Sequence, residues 1–261
     1  MRVALVTGAA RGIGAATVDV LCRQGYGVVA LDACAGDDVP PGVTYPLATS
    51  DDLDQLAQRW PEQVLASIVD VRDRAALERA AQTGLNRFGR LDVAVAAAGV
   101  VAGGQPQWAT PAEHLGTLLD VNVVGTWNTA AVTIPAMLDG PDPAGGRFVA
   151  IASAAGDRGM FHLAGYCASK HAVIGIVRGL AADLVGTGVT AVAVSPGSTD
   201  TAMLAATAQL YRTTPAELVQ HQGLRRALAP EEIAATVALC CSVVGAALNG
   251  SVVHADGGFG L

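Results

Sequence analysis

Arg2-Val3-Ala4-Leu5-Val6-Thr7-Gly8-Ala9-Ala10-Arg11-Gly12-Ile13-Gly14 opens the chain with a strand-length run that leads into three glycines. Arg2–Thr7 has the unbroken apolar centre of a strand covered on both faces. Gly8, Gly12 and Gly14 suit a tight turn into a helix, which continues to about Gln24 before Gly25-Tyr26-Gly27 breaks it. Gly27–Leu31 is a second buried strand, and Asp32 ends it. This is a βαβ opening. Parallel strands joined through a helix imply further helices packed on the sheet.

The alternation continues from there. Leu65–Val69 reads as a strand, Arg74–Phe88 as a helix, Leu91–Ala98 as a strand, Pro111–Met137 as helical and Arg147–Ser153 as a strand. Gly165–Val185 is a helix, Val189–Ser195 a strand, Pro230–Val244 a helix and Val252–His254 a short last strand. Seven strands alternating with six helices predict one α/β domain over residues 1–261, a doubly wound seven-stranded parallel sheet of the Rossmann type. The segment 33–64 exceeds this minimal pattern, with Asp37-Asp38-Val39-Pro40-Pro41-Gly42 and Tyr45-Pro46-Leu47-Ala48-Thr49-Ser50. Ser50 or Asp51 is expected to cap a short helix over Asp52–Trp60. A βα loop ordinarily takes about 2–6 residues, so roughly ten here are surplus. Surplus at the carboxyl end of a strand either borders a ligand crevice or is a tolerated surface insertion.

Composition narrows the classes of function. The chain is 51% apolar and 15% charged, which fits a globular protein with a large core. A net charge of -7 argues against a nucleic-acid partner. No apolar run is long and uninterrupted enough to cross a membrane. The opening is too short for a signal peptide, so a cytoplasmic protein is expected. Five cysteines show no paired or metal-ligand spacing, and the five histidines are scattered, so no metal is predicted. An odd, unframed cysteine set suits reduced thiols.

Several residues carry chemistry. The turn Gly8, Arg11, Gly12, Ile13, Gly14 lets backbone approach a pyrophosphate, and the helix N-terminus offers it free N–H groups and a positive dipole end. Asp32, 18 residues beyond Gly14, suits an adenosine ribose and repels a 2′-phosphate, and no basic residue follows it in Ala33-Cys34-Ala35-Gly36. NAD is therefore preferred to NADP. Asp70 and Val71 end the third strand, where Asp70 suits either an adenine edge or a helix N-cap. Tyr166 and Lys170, four residues apart, share one face of a helix. An ammonium beside a phenol is expected to bring the tyrosine pKa down towards neutrality, making Tyr166 a proton-exchanging group. The same spacing also occurs in ordinary helix-surface neighbours. Cys167, about 100° round the helix from Tyr166, is assigned to packing.

Thr7-Gly8, Gly12, Gly14, Asp70-Val71, Asn122, Ser153, Tyr166, Ser169-Lys170 and Pro196-Gly197 stand in an order and spacing that resembles the short-chain dehydrogenase/reductase family over the whole chain. That resemblance implies a catalytic tetrad of Asn122, Ser153, Tyr166 and Lys170, a small alcohol or carbonyl substrate, and a homotetramer. Ser153 holds the substrate oxygen, Tyr166 is general base or acid, Lys170 lowers the tyrosine pKa and holds the nicotinamide ribose, and Asn122 positions a water leading to Lys170. Taken singly, Ser153 also reads as a strand-end cap and Asn122 as a helix irregularity. The resemblance further puts Ala98, Gly99, Pro196, Gly197, Thr199 and Thr201 on the cofactor, with Thr201 alternatively a helix cap, and makes 202–226 a substrate lid. Many family members have two asparagines where this chain has Ala96-Ala97-Ala98-Gly99, which removes a tie between neighbouring strands.

The insertion and the all-alanine turn resemble the mycofactocin-coupled, carveol-dehydrogenase-like subgroup. This implies NAD held beneath residues 33–64 and re-oxidised through mycofactocin. A 3-oxoacyl or hydroxysteroid dehydrogenase using free NAD is the alternative within the family. A dinucleotide-binding scaffold without catalysis is the alternative outside enzymes, although it would not need the Tyr166–Lys170 pair.

Overall fold

The computed structural model describes residues 1–260. Its framework is one parallel sheet ordered β3-β2-β1-β4-β5-β6-β7. The strands are β1 (Val3–Thr7), β2 (Gly27–Asp32), β3 (Val64–Ile68), β4 (Val93–Ala96), β5 (Arg147–Ile151), β6 (Thr190–Pro196) and β7 (Val252–Ala255). Thr7 sits between Leu31 of β2 and Ala96 of β4, so the order reverses beside the glycine turn and opens a crevice at the carboxyl edge. The expected strands are all present, with ends shifted by one or two residues.

The helices cover both faces. On one side α1 (Gly12–Arg23) and α9 (Pro230–Cys241) bury Val18, Leu21, Ile233 and Val237 against Val28, Val95, Val149 and Val192. On the other, α3 (Arg74–Phe88), α5 (Gly125–Leu138) and α6 (Ala164–Asp183) bury Leu77, Met137, Val173 and Val177 against Leu5, Leu31 and Phe148. Each such side chain contributes about 1.5–3 kcal/mol. Covering on both faces explains why the strands show no alternation.

Three expectations need correction. The helix predicted as continuous over 111–137 is α4 (Ala112–Leu118), then a π-helical segment Leu119–Val124, then α5. The wider turn carries Asn122, whose side chain bonds the backbone of Val100 in place of following the helix surface. The short helix of the insertion, α2 (Ser50–Arg59), is capped by Thr49, not Ser50 or Asp51. Thr49 is extended and exchanges hydrogen bonds with Asp52 in a capping box. Asp73, not Asp70, caps α3. The 202–226 stretch folds as α7 (Ala202–Leu210), α8 (Pro215–Leu218) and a 3₁₀ turn.

Candidate active site

The crevice has a volume of about 1650 Å³ and is lined by the glycine turn, Asp32, Asp70, Val71, Ala98, Gly99, Ser153, Tyr166, Lys170 and the Pro196–Thr201 turn. The glycine turn is shaped for a backbone-only cradle. Gly8 and Gly12 have φ of +65° and +58°, and a Cβ on Gly8 would lie 2.7 Å from Ala98 Cα. A Cβ on Gly14 would collide with the Gly8 carbonyl oxygen. Arg11 occupies the N-cap of α1 with extended backbone and makes no side-chain cap, so the first-turn N–H groups face the crevice. These features fit a dinucleotide phosphate. Asp32 Oδ2 accepts from Ala10 N (3.0 Å) and Oδ1 from Cys34 N (3.0 Å), which orients the carboxylate and leaves lone pairs for hydroxyl donors. Thr7 Oγ1 accepts from Ala97 N (3.2 Å) and Ala98 N (3.3 Å). That hydroxyl supplies the tie between β1 and the end of β4 that the all-alanine turn lacks.

Asp70 is engaged by its neighbour. Arg72 donates to it from Nε and from its backbone N–H. Burial raises the Asp70 carboxyl, and the Arg72 hydrogen bonds more than offset this to hold it below the ordinary aspartate value. In the β6 turn, Thr199 Oγ1 donates to Gly197 O and Thr201 Oγ1 to Thr199 O. Thr201 stands at the N-cap of α7 without a side-chain cap bond, and its methyl faces Gly12.

At the other end of the crevice, α6 presents Tyr166 and Lys170, both buried. Ser153 follows β5, and its hydroxyl accepts from Ala155 N at 3.1 Å. Asn122 lies behind this group: Oδ1 accepts from Val100 N (2.9 Å), and Nδ2 donates to Val100 O and Ser169 Oγ (both 3.0 Å). Ser169 in turn donates to Tyr166 O, so it ties the π-helical segment to the helix bearing the phenol. Asn122 and Lys170 flank Gly99, where a Cβ would lie 3.2 Å from Asn122 Oδ1 and 3.5 Å from Lys170 Nζ.

The lowered tyrosine pKa expected from the sequence is not found. Burial pushes Tyr166 up to about 12, only partly opposed by the Ser153 hydroxyl. Burial also brings Lys170 down to about 8. Lys170 Nζ is 5.9 Å from the Tyr166 ring centre and donates to Ile151 O at 2.8 Å, so its charge is directed to a strand carbonyl. For a phenol this deeply buried, desolvation outweighs a cation at this distance. Cys167 accepts from Met160 N, and burial raises its thiol, in keeping with packing.

Two contributors escaped the sequence. Gln222, 1% exposed, receives Ser198 N on Oε1 and donates to Arg226 O (2.7 Å), bracing the Pro196–Thr199 turn. Tyr45 of the insertion accepts from Val101 N at 3.2 Å and lines the crevice. Neither residue belongs to a local motif, because each acts on backbone distant in sequence.

Comparison with known proteins follows the same pattern. The family model described as enoyl-(acyl carrier protein) reductase matches residues 8–260. An uncharacterized NAD-dependent oxidoreductase of Mycobacterium tuberculosis is 37% identical across 98% of this chain and 95% of its own length. The (-)-trans-carveol dehydrogenase of Rhodococcus erythropolis is 37% identical across 70% of this chain and 65% of its own. Among solved structures, carveol dehydrogenase from Mycobacterium avium in complex with NAD superposes with a TM-score of 0.91 at 28% identity, covering 98% and 96% of the two chains. A short chain dehydrogenase from Mycobacterium paratuberculosis bound to NAD gives 0.88 at 33% identity, covering 98% and 97%.

Proposed function

The chain belongs to the short-chain dehydrogenase/reductase family, and on that premise we propose that it is an NAD-dependent oxidoreductase interconverting an apolar alcohol and its ketone or aldehyde through Tyr166. The observation that carries this reading is the meeting, in one crevice, of the glycine cradle and Asp32 with Ser153, Tyr166 and Lys170. Gly8, Arg11, Gly12, Ile13, Gly14, Asp32 and the Pro196–Thr201 turn would hold NAD, which would supply the hydride acceptor or donor.

The chain's own groups handle the proton. Ser153 holds the substrate oxygen by its hydroxyl. The neutral Tyr166 phenol, favoured by burial, is the form that protonates a carbonyl oxygen during reduction; oxidation requires the phenolate to take the alcohol proton. Lys170 anchors to the Ile151 carbonyl, and its remaining donors would be available to hold a nicotinamide ribose. Asn122 fixes the Val100 backbone behind Gly99 and lines up the route by which a water reaches Lys170. The substrate end is walled by Met160, Leu163, Met203 and Tyr211, an apolar set that suits a terpenoid-sized or aliphatic alcohol. Residues 202–226 act as the lid.

The insertion supports a tightly held NAD. Val39, Pro40, Pro41, Tyr45, Leu47 and Ala48 line the crevice between Asp32 and the catalytic end. Re-oxidation through mycofactocin follows from the subgroup resemblance. Exhaustive dialysis of the purified protein tests this: retained nucleotide, with turnover not sustained by added NAD alone, is expected. Rapid loss and steady turnover on free NAD would favour the 3-oxoacyl or hydroxysteroid alternative. The exposed Leu115, Leu119, Val124 and Trp127 suit helix pairing between copies in a cytoplasmic homotetramer, which light scattering checks.

A further inference from the structure

Two consecutive residues of the insertion reach opposite halves of the crevice. The Pro46 carbonyl accepts a hydrogen bond from the Arg11 guanidinium, on the turn that faces the phosphate site. Tyr45, 8% exposed, points its ring the other way, into the apolar cluster of Val100, Val101, Leu163 and Tyr166. Its hydroxyl accepts from Val101 N at 3.2 Å. The backbone flanking the dipeptide is tied on both sides. Leu47 N donates to Gly36 O (2.7 Å) and Gly36 N to Ala48 O (2.9 Å), closing the insertion on itself beside Asp32. On the other side Gly42, with φ +84°, packs against the His114 ring of α4. The Tyr45 phenol is also close enough to Tyr166 to disfavour its ionisation.

We propose that Tyr45 is a positioning residue of this reaction, supplied by the insertion: its phenol walls the substrate pocket while Pro46 holds Arg11 over the cofactor, so substrate occupancy and cofactor release are coupled through one dipeptide. This rests on the proposed function, in that the cofactor end is taken as an NAD site and the apolar end as the site of the alcohol. An apolar alcohol packed on the Tyr45 ring stabilises the position of the insertion in which Pro46 meets Arg11. By reciprocity, bound nucleotide tightens the alcohol site to the same extent.

The test is the rate of NADH release from NADH-loaded protein, followed by nucleotide fluorescence with and without carveol as the probe alcohol. NADH and an alcohol cannot react with each other, so release is read without turnover. In the wild type, saturating carveol is expected to slow release about 5-fold or more. In Tyr45→Ala the slowing should fall below about 2-fold, and Tyr45→Phe, which keeps the ring and loses the Val101 bond, should lie between them. Release unaffected by carveol in the wild type, or slowed equally in wild type and Tyr45→Ala, would overturn the coupling. Circular dichroism confirms that each variant is folded. Wild-type oxidation of carveol, measured separately, tests the proposed function itself, so the two failures are distinct.

Discussion

Lys170 is expected to destabilise the nucleotide-free protein, and Lys170→Met should reveal it. The ammonium is buried and its pKa falls from 10.5 to about 8, which corresponds to about 3 kcal/mol of penalty on the charged form at neutral pH. Methionine fills nearly the same space without charge. It forfeits the hydrogen bond to Ile151 O, at a cost of about 1 kcal/mol, so a net stabilisation of about 1–2 kcal/mol is expected at pH 7. The sign of the pH dependence follows from proton binding. Between about pH 8 and 10.5 the unfolded lysine holds a proton that the folded one has released, so wild-type stability rises with pH in that window. The advantage of the variant should therefore shrink by about 2–3 kcal/mol between pH 7 and pH 10 and change sign. Urea denaturation of both proteins after nucleotide removal, at the two pH values, measures this. A difference independent of pH, or a wild type more stable than Lys170→Met at pH 7, would refute the view that burial governs this lysine.

Other consequences follow from the cradle and its supports. Asp32→Ala removes the carboxylate that would face a 2′-phosphate, and the preference for NAD over NADP, read from dissociation constants, should fall about 10-fold or more. Gly14→Ala sets a methyl against the Gly8 carbonyl, a backbone atom with no room to move. A loss of about 3 kcal/mol, or a Tm lower by about 6–12 °C, is expected in a thermal melt. Gln222→Leu takes the side-chain partner from two part-buried groups, the Ser198 N–H and the Arg226 carbonyl. It should cost about 1–2 kcal/mol in urea denaturation and weaken nucleotide binding by loosening the Pro196–Thr199 turn.

Much of this architecture is legible from local pattern. Buried parallel strands such as Val93–Ala96 are apolar on both faces, and glycines mark where the chain must turn or touch, as at Gly8 and Gly14. Asn122, Ser153, Tyr166 and Lys170 can be paired by family spacing, and the fold gathers them at one end of the crevice. What escapes is set by distant partners. Nothing near Asn122 announces a π-helical turn, because its cause is the Val100 backbone 22 residues away. Gln222 reads as one polar residue in the 202–226 stretch until the Ser198 N–H is seen against it. Thr7 reads as the end of a strand, yet its hydroxyl replaces an absent asparagine. The Tyr166 pKa departs from the helical-spacing expectation because spacing reports that a cation is near, not how deeply the phenol is buried or which carbonyl the cation faces.

The central claim is that Tyr166 drives proton exchange coupled to hydride transfer on NAD. A single turnover tests it most directly: protein with one equivalent of bound NAD is mixed with an apolar secondary alcohol such as carveol, and absorbance at 340 nm is followed. The wild type should form NADH up to one equivalent per site. Tyr166→Phe should retain the nucleotide yet form none on the same timescale. NADH formation by Tyr166→Phe at the wild-type rate would contradict the account.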